Sequence, residues 1–202
     1  MEPTFDPARV RTILEHAADH PWRLQGVGLL ALRLDDRREL RLHVWDPSGC
    51  PGDPPIHDHP YDFTSTVLAG ELTNTRYVED ATGDEFRRER YAPADETSRR
   101  TDLVRLVGRS TVFGPGDRYH QSAAELHASH QTPGTVTVIR CRWRDRPELS
   151  VCQRPGSPWI SGQARPATGE EIERITATAL DRFPASLALQ GQQGRAPVQP
   201  AR

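Results

Sequence analysis

The chain is short of several things, and each shortage narrows its function. Its 202 residues include three cysteines, Cys50, Cys141 and Cys152, widely spaced, odd in number and without a CxxC pair. They are too few and too scattered for a disulfide framework, so a reduced, cytoplasmic protein is expected. Excess charge is also lacking. The 26 basic and 28 acidic residues leave a net charge of −2, which argues against nucleic acid or an anionic membrane as a partner. Lysine is absent and arginine carries all the basic charge, a mark of a high-GC genome and not of function. No apolar run approaches the roughly 20 residues of a membrane span. The N-terminal MEPTFDPARV lacks the charged-then-apolar pattern of a signal peptide.

The length suffices for one good-sized core, and a single domain over 1–184 is expected. Residues 6–19 predict a helix. Asp6 suits the N-cap, Pro7 the first helical position, and Val10, Ile13, Leu14, Ala17 and Ala18 fall on one stripe. Residues 168–183 predict a second. Thr168 and Glu171 form a capping box, Ile172, Ile175, Ala179 and Phe183 share a face, and Pro184 stops it. From Ala185 to Arg202 the chain loses periodicity, and a mobile tail is expected.

Between the helices, a core of about 27–153 reads as short strands: 27–35, 39–46, 63–79, 86–92, 102–113, 123–128, 134–143 and 149–153. Turn signals divide them, at DDRR 35–38, DPSGCPGDPP 46–55, ATGDE 81–85, GPGD 114–117 and QTPG 131–134. No βαβ alternation appears, so an all-β sandwich or small barrel is predicted.

Eight histidines are present. His57 and His59, in PIHDHPYDFTSTVLAG, stand at i and i+2 and project from one strand face. Their imidazoles can reach one ion at the roughly 2.0–2.1 Å of a metal–nitrogen bond. Pro54, Pro55 and Pro60 stiffen the backbone around them. A third ligand is sought in FGPGDRYHQSAAELHASH, where His120, His127 and His130 are candidates. His127 is favoured because it stands just before the strand TVTVIRCRW. His16, His20 and His43 are expected in structural or surface roles. Asp58 and Asp62 flank the pair and could hold a ligand imidazole by its second nitrogen. Asp62 could also be a fourth ligand.

The HxH, Phe63 and Gly70 spacing, followed by a Gly-Asp turn and Leu126-His127, resembles the cupin superfamily. Residues 39–77 are similar to the core of its cysteine dioxygenase family. The resemblance implies a double-stranded β-helix, or jelly roll, with flanking helices. It also implies ferrous iron on three histidines, here His57, His59 and His127, with open positions for substrate and dioxygen. The same geometry admits Zn, Ni, Mn or Cu. The chain departs from the family where a Glu or a Cys is usual, having Phe63. Where the family has a catalytic tyrosine, it has Cys141, Arg142 and Trp143. The family's carboxylate-binding arginine would fall on Arg33.

Tyr61, Phe63, Ser65 and Val67 share strand parity with the histidines and are expected to face the same cavity. Tyr61, Tyr119 and His120 are candidate acids or bases, and Arg76 a candidate for a substrate carboxylate. Arg140, Arg142 and Arg144 alternate on a solvated face. Three functions compete. The first is an oxygenase acting with O2 on a small anionic molecule. The second is a non-redox metal enzyme, such as a lyase, isomerase or thioesterase. The third is a binding protein without catalysis. A homodimer through the sheets is a further expectation.

Overall fold

A computed structural model describes residues 6–26, 28–46, 53–92, 95–157 and 164–183, with the side chains of 95–99 excepted. Cys50, most of the 46–55 turn, Pro184 and the 185–202 tail lie outside the described residues.

The first helix, α1, covers Pro7–Glu15 and is followed by a single 3-10 turn at Ala17–Asp19. The Asp6 carboxylate accepts from the Ala8 N–H at 2.9 Å, as an N-cap should. The second, α2, covers Gly169–Arg182 and opens on a complete Thr168–Glu171 capping box. Among the described residues no helix is long and apolar enough to cross a membrane.

Twelve strands make up most of the remaining described residues. They are β1 (Arg23–Gln25), β2 (Leu29–Arg33), β3 (Leu40–Trp45), β4 (Ile56–His57), β5 (Tyr61–Ala69), β6 (Leu72–Ala92), β7 (Asp95–Phe113), β8 (Arg118–Gln121), β9 (Leu126–Gln131), β10 (Thr135–Trp143), β11 (Leu149–Gln153) and β12 (Arg165–Pro166). One sheet runs β12-β1-β2-β3-β10-β5-β8 and the other β11-β4-β9-β6-β7. At their centres the sheets run β3-β10-β5-β8 and β4-β9-β6-β7: the chain crosses from one to the other at each step from β3 to β10 except at the β6–β7 hairpin, which stays in the second sheet. All pairings are antiparallel. That strand order is a jelly roll, and the fold is all-β with two flanking helices.

Three apolar clusters follow from strand parity. Leu30, Leu32, Leu42, Val44, Val136 and Val138 point outward from the first sheet, where α1 and α2 cover them. Tyr61, Phe63, Val67, Tyr119, Ile139 and Cys141 point inward and fill the barrel. Ile56, Phe86, Val104, Leu106, Ala128 and Cys152 pack behind the second sheet.

Some predicted boundaries move. The 63–79 run breaks at Gly70, whose φ of +74° makes the hairpin between β5 and β6. A Cβ there would lie 2.4 Å from Thr135 Oγ1, so only glycine fits. The ATGDE signal at 81–85 does not end a strand. It becomes a register shift between Glu79 and Asp84 inside the long β6–β7 ribbon. The short β4 and β8 were hidden in the segments read as loop and turn.

Candidate metal centre

His57 ends β4 and lies directly opposite His127 of β9, so the two imidazoles leave the second sheet on one side. His59 follows in the Asp58–Pro60 link to β5. One nitrogen from each of His57, His59 and His127 lies within 4.8 Å of the others. The Nε2 atoms of His59 and His127 are 2.9 Å apart. Two nitrogens bound at right angles to one ion, each at about 2.1 Å, would stand about 3.0 Å apart. The residues therefore fit a cation held by imidazole nitrogens.

The second nitrogens are tied off in a way that frees the first. His57 Nδ1–H donates to the Pro55 carbonyl at 3.0 Å, which leaves the Nε2 lone pair available. His127 Nδ1–H donates to Asn74 Oδ1 at 2.8 Å, and the Ser129 hydroxyl donates to the same oxygen at 3.2 Å. The Asn74 amide donates in turn to Gln121 Oε1 at 3.2 Å. Burial lowers the pKa of all three ligand imidazoles. At His59 the neighbouring His57 and His127 add to it, and at His127 the neighbouring His57 does. Neutral imidazoles are the form a metal requires.

The His57–His59 segment is clamped from outside. The Asp58 carboxylate, 3% exposed at its side chain, accepts from the Ser150 N–H at 2.8 Å and from Arg146 at 3.0 Å. Arg146 also donates to the His59 carbonyl at 3.2 Å. The His59 N–H donates to the Ala123 carbonyl at 3.1 Å. Asp58 thus orients the backbone and not a ligand ring. Asp62 turns to Arg144 at 2.6 Å and to the Ala123 N–H at 2.9 Å. Arg144 and that amide hold its carboxyl below the usual range.

The walls are aromatic. Phe63 lies 5.3 Å from the His59 ring and 5.8 Å from the His127 ring. Tyr61 stacks on His59 at 4.9 Å, and its hydroxyl accepts from Arg41 at 3.2 Å. Burial pushes Tyr61 up to about 12, so it is a protonated hydroxyl at neutral pH. Tyr119 is buried against Phe63 and Phe113 and its pKa is also raised by burial. Cys141, inward and pushed up to about 11 by burial, is a neutral thiol.

Of the other candidates Arg76 stands nearest, directly opposite His127 in the β6–β9 register and acting electrostatically on its ring. His120 is exposed on β8, on the face opposite Tyr119. Arg76 is exposed too, bound to the His120 carbonyl and 4.0 Å from Glu125. His130 is exposed, 3.7 Å from Asp53. Arg33 is exposed at the end of β2. Arg140 and Arg142 are exposed, while Trp143 packs 5.0 Å from Tyr61.

Three inward residues escaped the reading of the sequence, Arg41, Asn74 and Gln121, and a fourth, His43, was expected in a structural or surface role and is buried inside. His43 is 8% exposed and burial pushes it down to about 3, so it is a neutral ring inside the barrel. The signal was available in ELRLHVW. Leu40, Leu42 and Val44 form one apolar face, which leaves Arg41 and His43 on the other. In LTNTR the signal is the reverse: Asn74 is in phase with the inward Leu72.

No family model matches the chain, and no curated protein matches it. Solved structures similar to it include Drosophila melanogaster CENP-C bound to CAL1, at 11% identity over 73% of this chain and 96% of that one, with a TM-score of 0.33. The polyketide cyclase RemF from Streptomyces resistomycificus matches at 15% identity over 91% and 99%, with a TM-score of 0.34. A cupin-like protein from Thermotoga maritima matches at 11% identity over 76% and 87%, with a TM-score of 0.26. Likenesses this distant transfer no activity. The jelly roll rests on the strand order, and the candidate metal centre on its three clustered histidines.

Proposed function

We propose that the chain is a metal-dependent enzyme, a mononuclear non-haem iron oxygenase acting with O2 on a small anionic molecule. The observation that carries this reading is the convergence of His57, His59 and His127 inside the barrel. An all-imidazole set with open positions suits ferrous iron, and also Zn, Cu or Ni. Iron would supply activation of dioxygen beside a bound substrate.

The protein's own residues do the rest. Asn74 and the Pro55 carbonyl fix the His127 and His57 tautomers. Asp58 and Arg146 hold the His57–His59 segment still. Phe63 supplies an apolar wall where a carboxylate ligand is usual in the similar family. Three neutral ligands leave the charge of a divalent ion uncompensated in a low-dielectric interior, which favours an anionic substrate.

A second reading, non-redox chemistry on Zn, Ni or Mn, is favoured by Tyr61. Its protonated hydroxyl beside the cluster could donate a proton to a leaving group. Elemental analysis of protein purified without added metal, with oxygen uptake measured over a panel of small organic acids, tests both. Iron near one equivalent with acid-dependent uptake supports the oxygenase. Zinc or nickel without uptake supports the second reading. No bound metal, and ligand binding unchanged in His57→Ala, would leave a binding protein without catalysis.

A further inference from the structure

The metal centre and its supports leave one buried titratable ring unused, His43. It stands on β3, on the face away from Leu42 and Val44, which α1 and α2 cover. The ring is edge-on to Trp45, with centroids 5.9 Å apart. Among the described residues neither of its nitrogens has a hydrogen-bond partner. Neither nitrogen is sealed from solvent-sized space. A neutral imidazole carries one N–H donor and one acceptor, and burial keeps this ring neutral. Two hydrogen-bonding positions are thus open to whatever enters the barrel.

Its neighbours on that face are short of partners too. Thr137 of β10 lies directly opposite His43. Its hydroxyl accepts from Trp45 Nε1 at 3.4 Å, a long and weak bond, and its own O–H has no acceptor among the described residues. Ser65 of β5 is diagonal to Thr137, opposite Ile139. Its Oγ is buried near the Tyr119 hydroxyl and makes no well-formed hydrogen bond. Buried polar groups are rarely left so, and each costs stability until something fills it.

The register places these groups. Phe63, which lies against the His59 and His127 rings, precedes Ser65 by two residues, about 7 Å of strand. Val67, opposite Thr137, lies as far again. His43 acts electrostatically on His59. The three unfilled groups therefore line the barrel just beyond the three-histidine centre.

We infer that His43, Thr137 and Ser65 form a pocket for an uncharged oxygen of the substrate, a hydroxyl or a carbonyl, beyond its reacting end. The substrate class is then a hydroxy or oxo acid and not a plain alkyl acid. The His43 N–H and a neighbouring hydroxyl donate to that oxygen, and the other imidazole nitrogen accepts from a hydroxyl. An alkyl chain in the same place would leave the three groups unpaired, and that difference lets the site discriminate. The acid and its reacting end rest on the metal-enzyme reading; the pocket itself rests on the three unfilled groups.

Titration calorimetry of the metal-loaded protein tests the pocket. The probes are butyrate and hexanoate, with 4-hydroxybutyrate and 6-hydroxyhexanoate as their hydroxylated counterparts. At least one hydroxy acid should bind about fivefold or more tightly than its parent, the worth of one hydrogen bond. His43→Phe should abolish that preference, and His43→Gln, which keeps a donor and an acceptor, should retain part of it. Ser65→Ala and Thr137→Val should each reduce it about two- to threefold. A ring that merely supported the fold would lower the melting temperature when replaced. Here His43→Phe should leave it unchanged or higher at neutral pH without ligand, and the favoured hydroxy acid should raise it more in the wild type than in the variant.

The inference is overturned if hydroxy and parent acids bind the wild type equally, or if none of the four binds at about 10 mM. It is overturned as well if His43→Phe keeps the preference, since the unfilled groups would then hold ordered water only. Repeating the titration on chelator-treated protein separates the pocket from the metal-enzyme reading. Hydroxyl preference kept without metal supports the pocket even where no metal loads. One equivalent of metal with no hydroxyl preference leaves the metal centre standing and removes the pocket.

Discussion

The two sides of the metal centre are built differently. His57 and His59 come from a loop margin, and the loop is fixed by its main chain. Arg146, Ser150 and Ala123 between them bind the Asp58 carboxylate, the His59 carbonyl and the Asp58 and His59 N–H groups. His127 comes from the middle of a sheet, where β4 and β6 already pair with its strand. Only its ring needs placing, and a chain of neutral amides does that: Asn74, then Gln121, then the Glu125 carbonyl at 3.3 Å. A ligand on irregular backbone requires an ion pair to hold its position. A ligand on a strand requires one oxygen to set its tautomer.

The largest effect should come from breaking the loop side. Arg146→Ala leaves the buried Asp58 carboxylate without its partner, and loss of a buried pair's partner costs about 3–5 kcal/mol. Urea unfolding should show that loss, with metal content falling as the loop loosens. The strand side should behave in the opposite way. Asn74→Leu frees the His127 tautomer, and removal of such an outer partner lowers metal affinity about 10–100-fold. The accompanying stability loss should be about 1–3 kcal/mol, the cost of stranding Ser129 and Gln121. Competition with a chelator measures the first and urea unfolding the second. If Asn74→Leu proved as destabilising as Arg146→Ala, the contrast between the two sides would fail.

A smaller effect concerns acid. The folded pKa of His43 is near 3, against an ordinary value of 6.5. The unfolded chain therefore binds a proton that the folded ring refuses. Stability is full above about pH 6.5 and falls as pH drops toward 3, by about 1.4 kcal/mol per unit for one such group. His43→Phe, which cannot titrate, should flatten that slope between pH 6 and pH 4, as read from unfolding midpoints.

Much of the architecture was written in local pattern. Asp6–Pro7 and the Thr168–Glu171 box fix the helix starts because capping is a matter of a few adjacent atoms. Gly70 marks its turn because the backbone there excludes a Cβ. The HxH pair and Leu126-His127 pointed to the three histidines that cluster, although no spacing says that residue 57 and residue 127 become cross-strand neighbours. That follows from register, which is a long-range property. The long β6–β7 ribbon was cut at 81–85 because a turn signal and a bulge use the same residues, Thr82, Gly83 and Asp84. Arg41 and Asn74 were missed for another reason. Arg41 alternates with leucines and reads as solvent-facing unless the leucine face is known to be covered, as α1 and α2 cover it here; Asn74 stands among threonines, with only Leu72 in phase to mark its face as inward.

The second sheet ends on β7, where residues 107–112 are exposed and Val107 and Val112 present 41% and 57% of their surface to water. A free strand edge is an invitation to stack with other chains. Gly108, which weakens strand pairing, and the exposed Arg105 and Arg109 act there as gatekeepers. Neutralising both arginines would be expected to shorten the shelf life of concentrated solutions while leaving the barrel interior untouched, with light scattering over time as the readout.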